Sequence, residues 1–285
     1  METVIHYFET IPSLHRALIL AGGLTFFWLI ESVIPLFKFN YKKPRHALTN
    51  IFLTITTLLI NLPFAFVIVL TADYFSEHHI GLLYVFNLPV IIFIFAGLLL
   101  LDFIGAYIIH VIQHKVKWMW KFHIVHHSDM HVDTTTANRH HPIESIFRAV
   151  FTLLAVIISG APMWLVMMYQ SASVVFSQFN HANITLPHWL DKAVSWVIVS
   201  PNMHKVHHHY LQPLTDTNYG NIFSIWDRLF KTFASVEKPN ENLQYGIDLL
   251  MQEKDSQQIG NLLTMPFKKY EPLPTSKFVD SKKYK

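Results

Sequence analysis

The sequence predicts an all-α integral membrane protein with about three membrane spans, a broken apolar hairpin and a helical cap on the cytosolic side. Of its 285 residues, 52% are hydrophobic and only 14% are charged. That charged share is about half of the usual one for a soluble domain, which argues against a soluble globular protein. Three separate runs, at 17–37, 51–72 and 88–109, contain at most one charge each. Each run is long enough to cross a bilayer as a helix.

The apolar runs differ in their charges and in their continuity. The first run contains Glu31, the second has no charge, and the third contains Asp102. A fourth apolar region, 146–179, is interrupted by Gly160-Ala161-Pro162. Each half is short for a full span, so we expect either a helical hairpin that dips into the bilayer or two short tilted spans.

Basic residues occur in alternate loops and predict the orientation of the spans. Positive residues favour the cytosolic side of a membrane. The loop at 73–87 contains acidic residues but no Lys or Arg, so we expect it outside. The loops expected in the cytosol contain Lys38, Lys42, Lys43, Arg45, Lys115, Lys117 and Lys121. The membrane would be the bacterial inner membrane, or the endoplasmic reticulum in a eukaryote.

These patterns divide the chain into three expected parts. Residues 1–87 form N-terminal transmembrane helices, 88–236 form the domain that carries most of the histidines, and 237–285 form a polar cytosolic tail rich in Lys. Glu2 and Glu9 precede the first apolar run, so a basic signal-peptide region is not visible and the first span is expected to be retained. Net charge is only +3 and no basic stripe with interleaved aromatics occurs, so we expect no nucleic-acid partner.

Histidine is the unusual component of the composition. The chain has 19 His and 0 Cys, which excludes disulfides, iron–sulfur clusters and thiolate zinc sites. On a helix, residues three or four apart lie on the same face, so HxxxH and HxxHH motifs direct several imidazoles toward one point. Such motifs are at 110–114, 123–127 and 204–208, which together supply more histidines than one metal can use. The spacing therefore predicts two metal ions. We expect His6, His15, His46, His78, His79, His131 and His188 at the surface or in packing, while His140 and His209 stay ambiguous.

The donor type limits the identity of the metal. All-imidazole sites suit iron, zinc or copper, whereas magnesium and calcium prefer oxygen. A site beside the bilayer meets hydrocarbon chains or sterols, whose C–H bonds need an oxidant. Two irons with O₂ provide one, whereas zinc has no redox chemistry.

With these histidine motifs, the chain resembles the fatty acid hydroxylase / sterol desaturase superfamily of membrane di-iron oxygenases. The resemblance covers 102–233, nearly half of the chain. Within the superfamily, the chain is similar to the sterol-desaturase-like and alkylglycerol-monooxygenase branches. It rests on the HVIQH, HIVHH and HKVHH boxes, the RHHPIE and FNHAN segments, and NYG followed by WDRLF. The metal ligands that the resemblance implies are His110, His114, His123, His126, His127, His141, His181, His204, His207 and His208.

Other polar residues of these segments are candidates for supporting roles. Asp102 lies in an apolar span, so a partner is expected, either an imidazole N–H that it orients or Arg139 in a salt bridge. Tyr107 lies on an adjoining part of the same helix, and Asn218, Tyr219 and Asp227 are further candidates to orient ligands.

The leading hypothesis is an O₂-dependent oxidation, either hydroxylation or desaturation, of a membrane lipid, sterol or fatty acyl chain. The cofactors would be two non-haem iron ions. The chain has no Gly-rich dinucleotide fingerprint, so a separate reductase with a ferredoxin or cytochrome would supply the electrons. Two alternatives stay open: a zinc-dependent hydrolase of a lipid ester with Glu144 as its base, and a non-catalytic metal-binding membrane protein.

The alternating loop charges generate a topology prediction. A reporter fused after residue 80 should be found on the opposite side of the membrane from one fused after residue 285, because the loop at 73–87 lacks basic residues. Compartment-specific labelling of both fusions would measure this. Finding both reporters on one side would contradict the assignment of the spans.

Overall fold

A computed structural model describes residues 1–248 and 252–269 of the chain. Within these ranges the chain is helical, and only isolated bridges occur in place of strands. The predicted all-α fold is thus confirmed.

The structure contains fourteen α-helices within the described residues. Their bounds are α1 Glu2–Glu9, α2 Ser13–Val33, α3 Lys43–Glu77, α4 Val90–Asp102, a π-helical turn Phe103–Ile108, α5 Ile109–Lys115, α6 Lys117–His127, α7 Pro142–Ser159, α8 Met163–His181, α9 His188–Val194, α10 Pro201–His207, α11 Ile225–Leu229, α12 Pro239–Asn242, α13 Glu253–Gln257 and α14 Ile259–Thr264. Short 3-10 turns lie at Leu82–Tyr84, Thr134–Asn138, Leu214–Asp216 and Met265–Phe267.

Four helical segments are long and apolar enough to cross a membrane: Ser13–Val33, Lys43–Tyr84, Val90–Lys115 and Pro142–Ser159. They contain most of the predicted apolar runs. The second half of the expected hairpin, α8, has 19 residues but is not among the four. Large apolar side chains of α3 such as Phe66, which is 67% exposed, face outward, as a lipid-facing surface requires.

The break between α7 and α8 depends on two glycines. Gly160 ends α7 with a φ of 70°, a left-handed conformation that glycine adopts without strain. Gly81, in the connection after α3, packs directly against it, and a Cβ on Gly81 would lie 2.4 Å from the Gly160 nitrogen. The interruption predicted at Gly160-Ala161-Pro162 is therefore a packed turn against the α3–α4 connection.

Helix α3 is longer than a bilayer is thick and links the spans to the histidine-rich domain. Its 35 residues extend about 50 Å, compared with a hydrocarbon core of about 30 Å. The N-terminal turns of α3 are buried in the domain. There His46 lies between two buried carboxylates, with Nε2 2.8 Å from Asp129 and Nδ1 3.2 Å from Asp133.

The single charge of the first span, Glu31, makes a second link. Its carboxylate lies 2.8 Å from the Lys43 ammonium and accepts hydrogen bonds from the backbone N–H groups of Thr134 and Asn183. Because an unpaired charge in a span is costly, these bonds fix α2 against the segments that follow α6 and α8.

The described part of the C-terminal tail completes a core, in contrast to the polar extension expected from its composition. Leu262 and Met265 are buried with Leu53, Ile124 and Val125. Ile124 and Val125 belong to α6, which also carries one HxxHH motif. The described part of the tail therefore supports helix α6, which carries histidines. Residues 249–251 and 270–285 lie outside the described part of the chain.

Replacing Leu262 with Ala should destabilise the protein by about 2–5 kcal/mol, because the change leaves a cavity in this core. Thermal unfolding in detergent would measure the loss. Leu14→Ala is the matched control, since Leu14 is 66% exposed. Equal melting temperatures for both variants would contradict a structural role of the tail.

Candidate metal centre

Nine buried histidines form two adjacent groups. Within each group, one ring nitrogen per histidine lies within 4.8 Å of all the others, so each group could hold a metal ion. The first group is His110, His114, His123, His127 and His207, and the second is His126, His181, His204 and His208.

Each HxxHH motif contributes to both groups. On α6, His123 and His127 belong to the first group and His126 to the second. In the motif of α10 and its C-cap residue His208 the assignment is reversed, since His204 and His208 belong to the second group and His207 to the first. Residues four apart share a helix face more closely than residues three apart, so the i+3 histidine turns toward the neighbouring group. The two helices thus interlock the groups.

The distances between ring nitrogens fit ligands of a common metal. Two nitrogens that are each about 2.1 Å from one metal lie about 3.0–3.4 Å apart, depending on the coordination geometry. Nε2 of His114 lies 3.1 Å from Nε2 of His127 in the first group. In the second group, Nε2 of His181 lies 3.1 Å from Nε2 of both His126 and His204.

Backbone carbonyls fix the orientation of three rings. Nδ1 of His110 lies 2.8 Å from the carbonyl oxygen of Tyr219, and Nδ1 of His207 lies 2.7 Å from that of Thr217. Nδ1 of His181 bonds to the carbonyl of Ser177 at 2.7 Å. Because a carbonyl only accepts, Nδ1 carries the proton in each ring, and the lone pair of Nε2 points into the group.

Two carboxylates hold further rings of the first group. Glu144 accepts a hydrogen bond from Nδ1 of His123 at 2.8 Å and one from the Gln113 amide at 3.1 Å. Asp216 accepts one from Nδ1 of His114 at 3.2 Å. The histidine spacing gives no signal for either carboxylate, although an acid in an apolar helix such as Glu144 indicates a buried partner. Glu144 is thus engaged with a candidate ligand, which disfavours its role as the base of a hydrolase.

Burial keeps the candidate ligands neutral. It lowers the pKa of His126, His127, His204 and His208 well below the ordinary value for histidine. It lowers the pKa of His207 to about 3. Neutral imidazole is the form that binds a metal, so the rings are ready to coordinate at neutral pH.

Several ring nitrogens have no partner in the described part of the chain. Nε2 of His110, His123 and His207 is buried without a hydrogen bond. Unpaired buried polar atoms are costly, and three of them directed toward one point are satisfied together by one metal ion. The donor set therefore fits a metal in each group, and the imidazoles suit iron, zinc or copper.

His141, the tenth implied ligand, lies outside both groups. It precedes Pro142 at the start of α7, where its Nδ1 accepts a hydrogen bond from the Ile143 N–H. Its Nε2 lies 3.2 Å from the Leu263 carbonyl of the tail. The neighbouring His140 turns inward, stacks on His126 at 5.1 Å and lies 3.7 Å from Glu144. His209 follows the end of α10, and its Nδ1 accepts a hydrogen bond from the Gln244 N–H.

Comparisons with known proteins match the region that contains both histidine groups. The model of the family described as fatty acid hydroxylase matches residues 94–232. The chain is 26% identical over 144 residues to the ornithine lipid hydroxylase of Rhizobium tropici, covering 50% of this chain and 42% of that protein. It is 30% identical over 150 residues to the alkylglycerol monooxygenase of Xenopus tropicalis, covering 50% of this chain and 30% of that protein.

A further relative is the cholesterol 25-hydroxylase-like protein 1, member 2, of Danio rerio. It is 27% identical over 149 residues, covering 51% of this chain and 52% of that protein. The chain therefore spans about half or less of the length of these relatives. No solved structure matches the chain.

Residues 94–232 form a fatty acid hydroxylase domain.

The resemblance inferred from the histidine boxes is confirmed at the level of this superfamily. Both histidine groups fall inside the matched segment.

The prediction that Asp102 pairs with an imidazole N–H or with Arg139 is wrong. Asp102 contacts neither an imidazole nor Arg139 in the described residues; its carboxylate accepts from the N–H groups of Ile222 and Phe223 and from the Trp226 indole. The π-helical turn that follows Asp102 changes the register that a regular helix would give relative to His110. Arg139 instead bonds to Asn50, Ser128 and two backbone carbonyls.

Asp227 acts on the candidate ligand His110 through the backbone. Its carboxylate accepts from the N–H groups of Tyr219 and Gly220 at 2.8 and 2.9 Å, and it thereby positions the Tyr219 carbonyl that holds His110. Tyr107 reaches the same carboxylate through Thr232, whose hydroxyl bonds to both.

Asn218 and Tyr219 lie against the α10 side of the centre. Asn218 has a φ of 52°, and its amide bonds to the carbonyls of Met203 and Ala234. The Tyr219 ring packs against His110, His114 and His207 at 5.5, 5.0 and 5.6 Å between centroids. Both residues position the histidines of this domain and do not bond to a ligand nitrogen through their side chains.

Changing Glu144 to Gln should weaken metal binding by about 10–100-fold, the usual effect of losing a partner of a ligand. Gln keeps the shape of the Glu144 side chain but lacks its negative charge, which makes the His123 nitrogen a stronger electron donor to a metal. Metal titration of the purified apoprotein would measure the change.

Glu241→Gln is the control, because the Glu241 side chain is 58% exposed. His141→Ala offers a second comparison and should leave metal affinity unchanged. Unaltered affinity in Glu144→Gln would contradict the role of this carboxylate.

Proposed function

We propose that the chain is a membrane-bound di-iron oxidoreductase that hydroxylates or desaturates a C–H bond of a membrane lipid. The observation that carries this proposal is the pair of interlocked histidine groups next to apolar helices. The names of the relatives, an ornithine lipid hydroxylase, an alkylglycerol monooxygenase and a cholesterol 25-hydroxylase-like protein, support the same class of reaction.

The nine grouped histidines would hold the two irons, five in the first group and four in the second. Bound iron supplies redox chemistry with O₂ that can break an unactivated C–H bond, which zinc lacks. In hydroxylation, a C–H bond and O₂ with two electrons and two protons yield C–OH and one water. In desaturation, two C–H bonds are lost and two waters form from the same O₂, electrons and protons.

The chain's own residues would position the reaction. A small cavity of about 30 Å³ lies between the two groups and is lined by His110, His123, His126, His181 and His204. Its size suits a molecule no larger than O₂ or one reacting carbon. The burial of the surrounding rings keeps bulk water away, so a reactive oxidant would meet the substrate before it meets solvent.

In this proposal a separate protein supplies the electrons. The chain contains 0 Cys, so a cluster held by thiolates is excluded, and no dinucleotide fingerprint occurs. A reductase that acts with a ferredoxin or a cytochrome fits this need. We place the active site on the cytosolic side, where the basic loops and such donors would be found.

Changing His207 to Ala should abolish turnover and reduce bound iron, while the protein still inserts in the membrane. His207 belongs to the first group and lies outside the four apolar segments. Lipid analysis of cells with and without the variant, together with iron content of the purified protein, would measure this. Two irons per chain and a product heavier by one oxygen, or lighter by two hydrogens, would support the proposal.

His79→Ala is the control, because His79 lies in the connection after α3 and should leave iron and activity unchanged. Full activity of His207→Ala, or substantial activity with zinc in place of all iron, would contradict the di-iron proposal and favour a hydrolase.

A further inference from the structure

A cavity of about 360 Å³ lies mainly between α3, α7 and α8, and its wall includes His140, which stacks on His126 of the second histidine group. Leu58 of α3 lines it and is 50% exposed on the outer surface of that helix, whereas His140, which also lines it, is only 8% exposed. The cavity therefore connects the lipid-facing surface with the inside of the domain.

This large cavity adjoins the small cavity between the two histidine groups. The residues that line both are Ala106, Ala137, His140, Arg148, Ser177 and Asn221. A molecule that enters from the lipid-facing surface can therefore bring one end to the candidate metal centre.

Arg148 is the charged residue in the wall of both cavities. It lies on α7, within one of the apolar segments. Among residues 1–248 and 252–269, its guanidinium has no ion-pair or hydrogen-bond partner. Glu144, one turn earlier on the same helix, is near enough for its charge to attract that of Arg148, but its carboxylate bonds to His123 and Gln113 and not to the guanidinium. A cation in a membrane helix is costly and marks a binding or transport path unless it is paired.

The wall is mostly apolar, but it contains further polar side chains besides Arg148. Nδ2 of Asn138 and Oδ1 of Asn61 are buried there without a partner in the described residues. The unpaired amide of Asn138 and the guanidinium of Arg148 are both donors, so they suit a group rich in acceptor oxygens. The planar guanidinium matches a carboxylate or a phosphate in particular.

The size of the cavity limits which part of a lipid enters. A volume of about 360 Å³ corresponds to about 12 water-sized groups. That is enough for a polar group and a short length of chain, but not for a whole lipid. Because the end shared with the small cavity carries Arg148, His140 and Asn221, the polar end of a lipid fits there better than the end of a hydrocarbon chain.

We propose that this cavity binds the polar end of an anionic amphiphile, with Arg148 paired to its carboxylate or phosphate. This inference rests on the lipid oxidation proposed above and specifies its substrate. Since Arg148 lines both cavities, the C–H bond presented to the metal centre lies only a few bonds from the anionic group. The chain of the amphiphile leaves past Leu58 toward the bilayer.

Binding of matched probes to the purified full-length protein without reductant tests this site. The probes are oleate, a single-chain lysophosphatidate, and oleyl alcohol as the neutral match, and native mass spectrometry measures their affinities. Wild-type protein should bind at least one anion more tightly than the alcohol. Arg148→Gln should weaken binding of that anion by about 10-fold or more and leave the alcohol unchanged, since it removes a charge-assisted hydrogen bond.

Two further variants make the result specific. Arg148→Lys keeps the charge and should retain part of the preference for the anion, and Arg16→Gln, near the start of α2, should change nothing. A larger loss for oleate identifies a carboxylate, and a larger loss for lysophosphatidate identifies a phosphate. Equal binding of all three probes to the wild type, or equal losses for anion and alcohol in Arg148→Gln, would overturn the proposal. If Arg148→Gln does not fold, the wild-type preference and Arg148→Lys decide.

The position of the oxidation provides an independent readout. Fragmentation of the wild-type product should place the new hydroxyl or double bond within the first few carbons from the anionic group. Oxidation at the far end of the chain would overturn this site while leaving lipid oxidation intact. Selective binding of an anion without any oxidation would instead contradict the proposed function and leave the binding site standing.

Discussion

The burial of nine imidazole rings around two points is the constraint on which the rest of the structure depends. Each ring has two nitrogens, and an unpaired nitrogen in the interior costs about 1–3 kcal/mol. Five of the rings, His110, His114, His123, His181 and His207, are held through Nδ1 by a carbonyl or a carboxylate. Their Nε2 atoms then face inward, where a metal is the partner that satisfies several of them at once.

A single short segment supplies three of these five partners. Asp216, Thr217 and Tyr219 hold His114, His207 and His110 respectively. The segment has little regular structure of its own, so its position depends on buried acids behind it. Asp227 binds the Tyr219 and Gly220 N–H groups, and Asp102 binds the N–H groups that follow. Acids that touch no metal ligand thus fix the first histidine group through the backbone.

Much of this could be predicted from the sequence, because helices and apolar runs have fixed periods. The period of 3.6 residues predicts that the first and last histidines of HxxHH share one point, and the runs predict the spans. The choice between His140 and His141 depends on Pro142, which favours an extended preceding residue and so makes His141 the N-cap of α7. The partners of Asp102 could not be predicted, because a π-helical turn alters the register and leaves no marked signal in the sequence.

The tail shows a second limit of sequence analysis. Leu262 and Met265 belong to a short apolar stretch, 259–267, that is too brief for its spacing to indicate what it packs against. They become core residues because they meet Leu53 on α3 and Ile124 on α6, which are far away in sequence. Tertiary contacts of this kind decide the role of a short segment more than its own composition does.

Charge balance connects the metal centre with the cavity beside it. Metal ions held by neutral imidazoles keep their positive charge, and carboxylates offset it only at the first group, through Glu144 and Asp216. In the described residues no carboxylate contacts a ring of the second group. Its close neighbour Lys205 is itself a cation, whose pKa burial lowers to about 7. Arg148 adds a further positive charge in the cavity wall. An anionic group beside Arg148 would therefore add to the charge offset that Glu144 provides, and it would do so only while the substrate is bound.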